Sequence, residues 1–464
     1  MLTQNWLRAG LVVVLGLDAL WAAQQEIDYQ VYTESPRVLL NQRRLRLLRR
    51  ERERDSIRWQ QFNLLMSGNA RMEEPGFTRA LYSQVTATPA PCREALEWAA
   101  KTASVSNPAQ LREMALVFDW CAAAADGAPA QMLARRRGVV LQSRPLEPQQ
   151  VRSAVFTALA LADVESQASQ ALLKHAVEAW WNKRVLPQLN AHRIPFNSRE
   201  DLYAIAEFLH VIRDNFRIDL REGAGKWFEE LPPMLLLSYY PQPWPAAENE
   251  YRIPAYAGKG DPDLREAVFS RAAEFALVAY DGNAQPHQFL QGWLMQDRFL
   301  LRSTLGIAYE FFWANPYLPG LSFTYMPDLF HAHGRLFVRS GWDEEASWFG
   351  FWDGQAQAFR NGQRIQVNLK ANPAPLEMGP VRILFGAAGA RFERGWTPPA
   401  EEGEKPVDEH AFVLGLEPDT AYDVEIDLEE MVEMRSDEGG ILALKFPPGR
   451  KAQVLIRKAA PVAR

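Results

Sequence analysis

A chain of 464 residues is long enough for two or three domains around large buried cores. Hydrophobic residues at 47% and charged residues at 23% exclude a largely disordered chain. A formal net charge of -6 argues against a nucleic-acid binder, which needs a basic excess, although an acidic ligand needs only a basic site.

In chain order, Arg8 precedes an apolar run at residues 11–17 that extends to Trp21 and ends on Ala22-Ala23. The run is shorter than the ~20 residues of a membrane span and fits a signal peptide over residues 1–23. The expectation is a periplasmic or secreted protein with no stable membrane span once the signal is cleaved. Asp18 interrupts the run, so an uncleaved anchor is the alternative.

Residues 37–312 read as helices almost throughout, within a helical domain expected over 36–320. The Arg/Glu run in residues 37–59 reads as a solvated helix face. Asn107-Pro108 and Glu147-Pro148 start two helices, and residues 166–181 set Leu172, Leu173, Val177 and Trp180 at helical spacing. Asp261-Pro262-Asp263 offers an N-cap and a first-turn proline to residues 264–280. Cys92 and Cys121 both fall in helical segments, and their spacing leaves open whether their Cα atoms approach within ~7 Å. With no histidine nearby, two cysteines make no zinc site.

The grammar changes after Asn315-Pro316-Tyr317-Leu318-Pro319-Gly320, which breaks any helix. Short aromatic and branched runs follow at residues 334–339 and 347–352, and Asn361-Gly362 marks a hairpin. Further strands are expected at 381–385, 411–414, 421–426, 441–446 and 452–456, with an acidic, Pro-rich loop at 398–406. Helices first and strands after predict an α+β multidomain chain whose antiparallel β-sandwich occupies 330–464.

Four stretches then share an order with a known family: Ser35-Pro36-Arg37-Val38-Leu39-Leu40, Leu116-Val117-Phe118-Asp119-Trp120, residues 315–320, and residues 334–342 followed by 348–354. Together they resemble the heparinase II/III-like proteins, polysaccharide lyases and their relatives. The resemblance implies an incomplete α/α toroid packed on a β-sandwich, with a glycan cleft at the junction. It implies β-elimination on an acidic polysaccharide, or a non-catalytic glycan-binding or scaffold protein that keeps the fold. It calls for no cofactor. The elimination needs a group that offsets the uronate carboxylate, a base for the C5 proton and an acid for the leaving oxygen.

Residues 197–221 offer the best candidate helix. At 100° per residue, Tyr203, Glu207, His210 and Asp214 share one stripe, with Arg199 and Arg217 beside it. If that stripe lines the cleft, Tyr203 is the base or acid, His210 or His192 its partner, and Asn197 the carboxylate neutraliser. Arg199 and Glu207 would contact substrate, Arg199 as a planar fork. The competing reading is an ordinary helix whose polar face is solvated or salt-bridged. Trp244 and Tyr251, in an aromatic Pro-rich segment, could stack sugar rings or simply fold over the toroid edge. A glycoside hydrolase would need two carboxylates across the bond; Glu207 and Asp214 stand about 10 Å apart along the axis.

Active members of the family carry a His-rich segment early in the β-domain. Residues 353–359 hold no histidine here, and His331 and His333 lie roughly twenty residues earlier. That pair has no evident third ligand, so no metal is expected, and a polar loop at the junction is the plainer reading.

Overall fold

A computed structural model describes residues 27–124, 138–245, 252–297, 303–371, 373–386, 391–394, 408–428, 430–447 and 452–460. The segment expected to be a signal peptide, the acidic loop expected at 398–406 and Tyr251 lie outside the described residues.

The helical part comprises α1 Gln42–Glu53, α2 Ile57–Ser67, α3 Pro75–Thr86, α4 Ala90–Lys101, α5 Pro108–Trp120, α6 Pro148–Ala160 and α7 Ser166–Lys174, which runs on through a π-helical stretch, His175–Val185. Then come α8 Arg199–Phe216, α9 Trp227–Leu237, α10 Leu264–Tyr280, α11 Gln285–Leu294 and α12 Thr304–Trp313. Expected start signals operate: Asn107 caps α5 by accepting from the Ala109 and Gln110 amides, and Asp263 caps α10. No helix among the described residues is long and apolar enough to cross a membrane.

Helices α3, α5, α6, α8, α10 and α12 pack side by side in that order. Phe77 of α3 then meets Tyr309 and Phe312 of α12, completing a ring. Side chains at the helix starts link neighbours: Gln149 to Asp201 across α6 and α8, and Arg265 of α10 to Glu73 beside α3. The starts of these inner helices therefore gather at one end of the ring. The first two stretches quoted for the family resemblance meet in space. Asp119, buried on α5, accepts from the Arg37 and Val38 amides and from Ser35 Oγ, and Trp120 Nε1 donates to Val38 O at 2.8 Å. Cys92 on α4 and Cys121 after α5 form a disulfide with Cα atoms 5.5 Å apart.

The β part comprises β1 Leu329–Ala332, β2 Arg335–Arg339, β3 Trp348–Trp352, β4 Gln355–Arg360, β5 Gln363–Val367, β6 Leu376–Met378, β7 Val381–Phe385, β8 Arg391–Arg394, β9 Glu409–Leu414, β10 Ala421–Ile426, β11 Glu430–Arg435, β12 Leu442–Phe446 and β13 Ala452–Lys458. They form three sheets: β1-β2-β3-β4-β5, β12-β9-β7-β6 and β11-β10-β13-β8. Pairing is antiparallel except between β7 and β9, which run parallel. Strand periodicity explains the stacking. In β3, Trp348 and Trp352 join the helical core, while Phe349 and Phe351 face the second sheet. In β9, Phe412 and Leu414 meet the first sheet, and Ala411 and Val413 meet the third. The layers thus run helices, first sheet, second sheet, third sheet. Burial on both faces is why Trp348–Trp352 is apolar throughout rather than alternating. Gly350 is required there: a Cβ would sit 2.3 Å from the Trp348 ring.

The two parts are joined by named contacts. Helix α9 packs against β1 and β2. Trp348 Nε1 donates to Leu237 O at 2.7 Å, and Tyr240 Oη donates to Gln357 Oε1 at 2.8 Å.

Candidate functional site

The α8 stripe does not line a cleft. Tyr203, Glu207 and His210 are fully buried inside the helical ring. Glu207 is held by Arg112 at 2.5 Å and by Arg152 at 3.0 Å. Arg112 also reaches Glu74, which accepts from the Tyr309 hydroxyl. The Tyr203 hydroxyl accepts from Trp313 Nε1 at 2.8 Å and from Arg112 at 3.2 Å. Burial first, and Glu207 second, push its pKa far above the ordinary phenol. His210 Nε2 donates to Ala276 O at 2.8 Å, and burial holds its pKa far below the usual imidazole. Tyr203 and His210 are therefore corrected from catalytic candidates, and Glu207 from a substrate contact, to parts of a buried network. Polar side chains need not face a cleft when arginines from α5 and α6 can satisfy them inside. The hydrolase pairing fails with them: Glu207 is sealed in, and Asp214 lies near the other end of α8, bound by Asn41 Nδ2 at 2.8 Å.

Trp244 is also corrected. It packs against Tyr240 and Phe359 and donates to the Tyr256 hydroxyl at 3.1 Å, so its ring serves the junction between the two parts.

The remaining candidates, His192, Asn197 and Arg199, come together. They line a groove of about 660 Å3 between the ring and the first sheet. Their placement is local: His192 takes a left-handed φ of 58° just beyond the short helix Leu186–Asn190, and Ser198 caps α8 by accepting from the Asp201 amide. Asn197 and Arg199 flank that cap. From the other side the groove receives His333, Arg335, Trp352 and Asp353. His333 stands at φ 56° in the turn between β1 and β2, next to Gly334 at φ 63°. A Cβ on Gly334 would lie 2.8 Å from Gly439 N, so this turn is wedged against the turn before β12. His331 stays in β1 and pairs with Asp437 at 3.0 Å, so the H-x-H pair is split. Among the described residues there is no cluster of His, Cys, Asp and Glu suited to a metal.

The groove has a definite electrostatic character. His333 Nε2 lies 3.0 Å from a Glu230 oxygen, yet neither ring nitrogen makes a well-aligned hydrogen bond among the described residues. Burial, then the neighbouring His192, pushes its pKa down to about 4, so the ring is neutral at pH 7. The His192 and His333 rings are 5.5 Å apart. Burial raises the Glu230 and Glu438 carboxyls, Glu438 with a buried oxygen lacking a partner. Arg335 is paired to the exposed Asp353 at 3.2 Å, and Arg199 reaches Ser238 only at 3.5 Å. Two guanidinium groups beside a neutral imidazole can take a carboxylate and accept a proton from its carbon neighbour.

Arg335 and Glu230 were not singled out by sequence reasoning, and His333 was set aside once a metal lacked ligands. The usable signal was Gly334: a glycine directly after a histidine marks a turn, and turns at domain junctions carry sites.

The chain matches no protein-family model and no curated protein. A solved structure named "Glycoside hydrolase" overlaps 84% of this chain and 72% of its own, at 8% identity and a TM-score of 0.32. Likeness at that level carries no argument about chemistry.

Proposed function

We propose that the protein acts on an acidic polysaccharide in the groove between its helical and β parts, by β-elimination at a uronic acid. The observation that carries this reading is the neutral His333, with no well-aligned hydrogen bond at either ring nitrogen among the described residues, beside His192 and Glu230 in a groove that also holds Arg199 and Arg335. The arginines would neutralise the uronate carboxylate, which acidifies the C5 proton; His333 would remove it, and His192 would protonate the leaving oxygen. Asn197 would add a donor to the carboxylate. Export to the periplasm or beyond belongs to the same proposal, supported by the disulfide, which persists in oxidising compartments.

A second reading, glycan binding without catalysis, is favoured by one observation. Tyr203 is buried, and no tyrosine lines the groove among the described residues.

One experiment separates them. The purified protein is incubated with uronate polysaccharides while ultraviolet absorbance of unsaturated products is followed. The lyase reading expects product, a loss of at least ~100-fold in His333→Gln, and a raised KM in Arg335→Gln. Absence of product, with affinity that Arg335→Gln weakens, selects the binding protein. Neither product nor affinity overturns both.

A further inference from the structure

A second concave site lies at the opposite end of α8. Arg199 opens this helix in the groove, and Arg213 lies fourteen residues further on, about 21 Å along the axis. There the last turns of α8, α10 and α12 meet α1 around a hollow of about 710 Å3. Five guanidinium groups line it: Arg43, Arg44, Arg46, Arg50 and Arg213. Residues 42–54 hold seven arginines against two glutamates, in a chain whose net charge is -6.

These arginines divide by role. Arg213 donates to Tyr280 O at 2.6 Å and lies over the Tyr280 ring at 3.7 Å. Arg44 lies over Trp313 at 4.1 Å and reaches Phe312 O at 3.4 Å. Both satisfy carbonyls at helix ends, an ordinary structural task. Arg44 Nε is nevertheless buried with no partner among the described residues, and burial lowers its pKa to about 10. Arg49 and Arg52 are likewise spent on carbonyls of α3. Arg43, Arg46 and Arg50 are different. They are exposed, and none has a carboxylate or carbonyl partner for its guanidinium among the described residues. They fall within about 60° on one face of α1, spaced about 4.5 and 6 Å along the axis. Arg50 is steadied over the Tyr317 ring at 4.5 Å, a contact that leaves its N–H edge open.

Opposing charge is smaller. Three helix C-termini contribute roughly -0.5 each. Asp214 already accepts from Asn41, and Asp281 from Arg221 at 3.1 Å. Five guanidinium groups exceed this total, so the hollow stays positive.

We propose that this hollow is a second anion site, taking the carboxylate or sulfate groups of an acidic oligosaccharide. Concavity favours a slender saccharide over a flat bilayer, and Tyr317, 43% exposed, stands at the rim under Arg50 and Arg54. The site does not depend on chemistry in the groove.

The test titrates the full-length protein with hexagalacturonate, a sulfated dextran oligomer, inorganic sulfate and phosphatidylglycerol vesicles. Arginine-directed chemical modification, read by mass spectrometry, locates the binding. We expect the two oligosaccharides to protect Arg43, Arg46 and Arg50. The triple variant R43Q/R46Q/R50Q, checked for native circular dichroism, should lose at least tenfold in affinity with a shallower salt dependence, while Arg335→Gln keeps the protection. Unprotected arginines in saturating oligosaccharide, or wild-type affinity in the triple variant, overturn the proposal. So does protection by vesicles or inorganic sulfate alone.

Discussion

At the scale of single residues, Glu207 is shared between two buried arginines, and its removal leaves Arg152 without its carboxylate and Arg112 with only Glu74 and the Tyr203 hydroxyl. Glu207→Ala should therefore cost about 3–5 kcal/mol, the usual penalty for breaking a buried pair. Tyr203→Phe leaves the buried Trp313 Nε1 without its acceptor, while Arg112 keeps Glu207, and should cost about 1–3 kcal/mol. Urea unfolding measures both. A Tyr203→Phe protein that keeps wild-type stability but loses activity on a polysaccharide would contradict its placement in the core. The same residues show why the stripe on α8 misled. A helical wheel reports that Tyr203, Glu207 and His210 share a face. It does not report that α5 and α6 supply Arg112 and Arg152 to that face.

At the scale of elements, α4 and α5 are tied by Cys92–Cys121, which closes a segment with a sequence separation of 29. Loop-entropy reasoning assigns such a crosslink about 3–4 kcal/mol. The double variant Cys92→Ser/Cys121→Ser should lower the thermal midpoint, and wild-type protein with reductant should approach the variant's value. An unchanged midpoint in both would mean that the helices hold this region without the crosslink. The element boundaries themselves were legible. Asn107, Glu147 and Asp263 each precede an observed helix, because caps and prolines act locally. The parallel β7–β9 pair was not legible, since strand periodicity says which face is buried but not which neighbour is paired.

At the scale of the whole molecule, several histidines are buried in their neutral form. His287 is pushed from 6.5 to about 4 mainly by burial, and His333 behaves alike. A folded pKa below the unfolded value means that the unfolded chain binds the extra proton. Stability from this source is complete above pH 6.5 and is lost as pH falls towards 4. For His287 the loss is about 3 kcal/mol at most. Burial raises Glu113, Asp119 and Glu274, which act in the opposite sense, losing stability as pH rises past the carboxylate range. The difference between wild type and His287→Gln isolates the histidine: between pH 6.5 and 4 the thermal midpoint of the variant should fall less steeply. Parallel curves would count against a neutral, buried His287.

By itself the sequence determined the succession of helices and then strands, because hydrophobic periodicity and turn residues act over a few positions. It also marked His192, Asn197 and Arg199, which lead into or open α8 wherever that helix packs. Tertiary structure alone decided what faces what. It sealed Tyr203, Glu207 and His210 inside the ring, brought His333 and Arg335 across the junction, and turned an arginine-rich helix face that read as solvated into the wall of a hollow. The reason is physical. A side chain's polarity is local, but whether it meets water, an ion pair or a groove is set by elements distant in sequence that close over it.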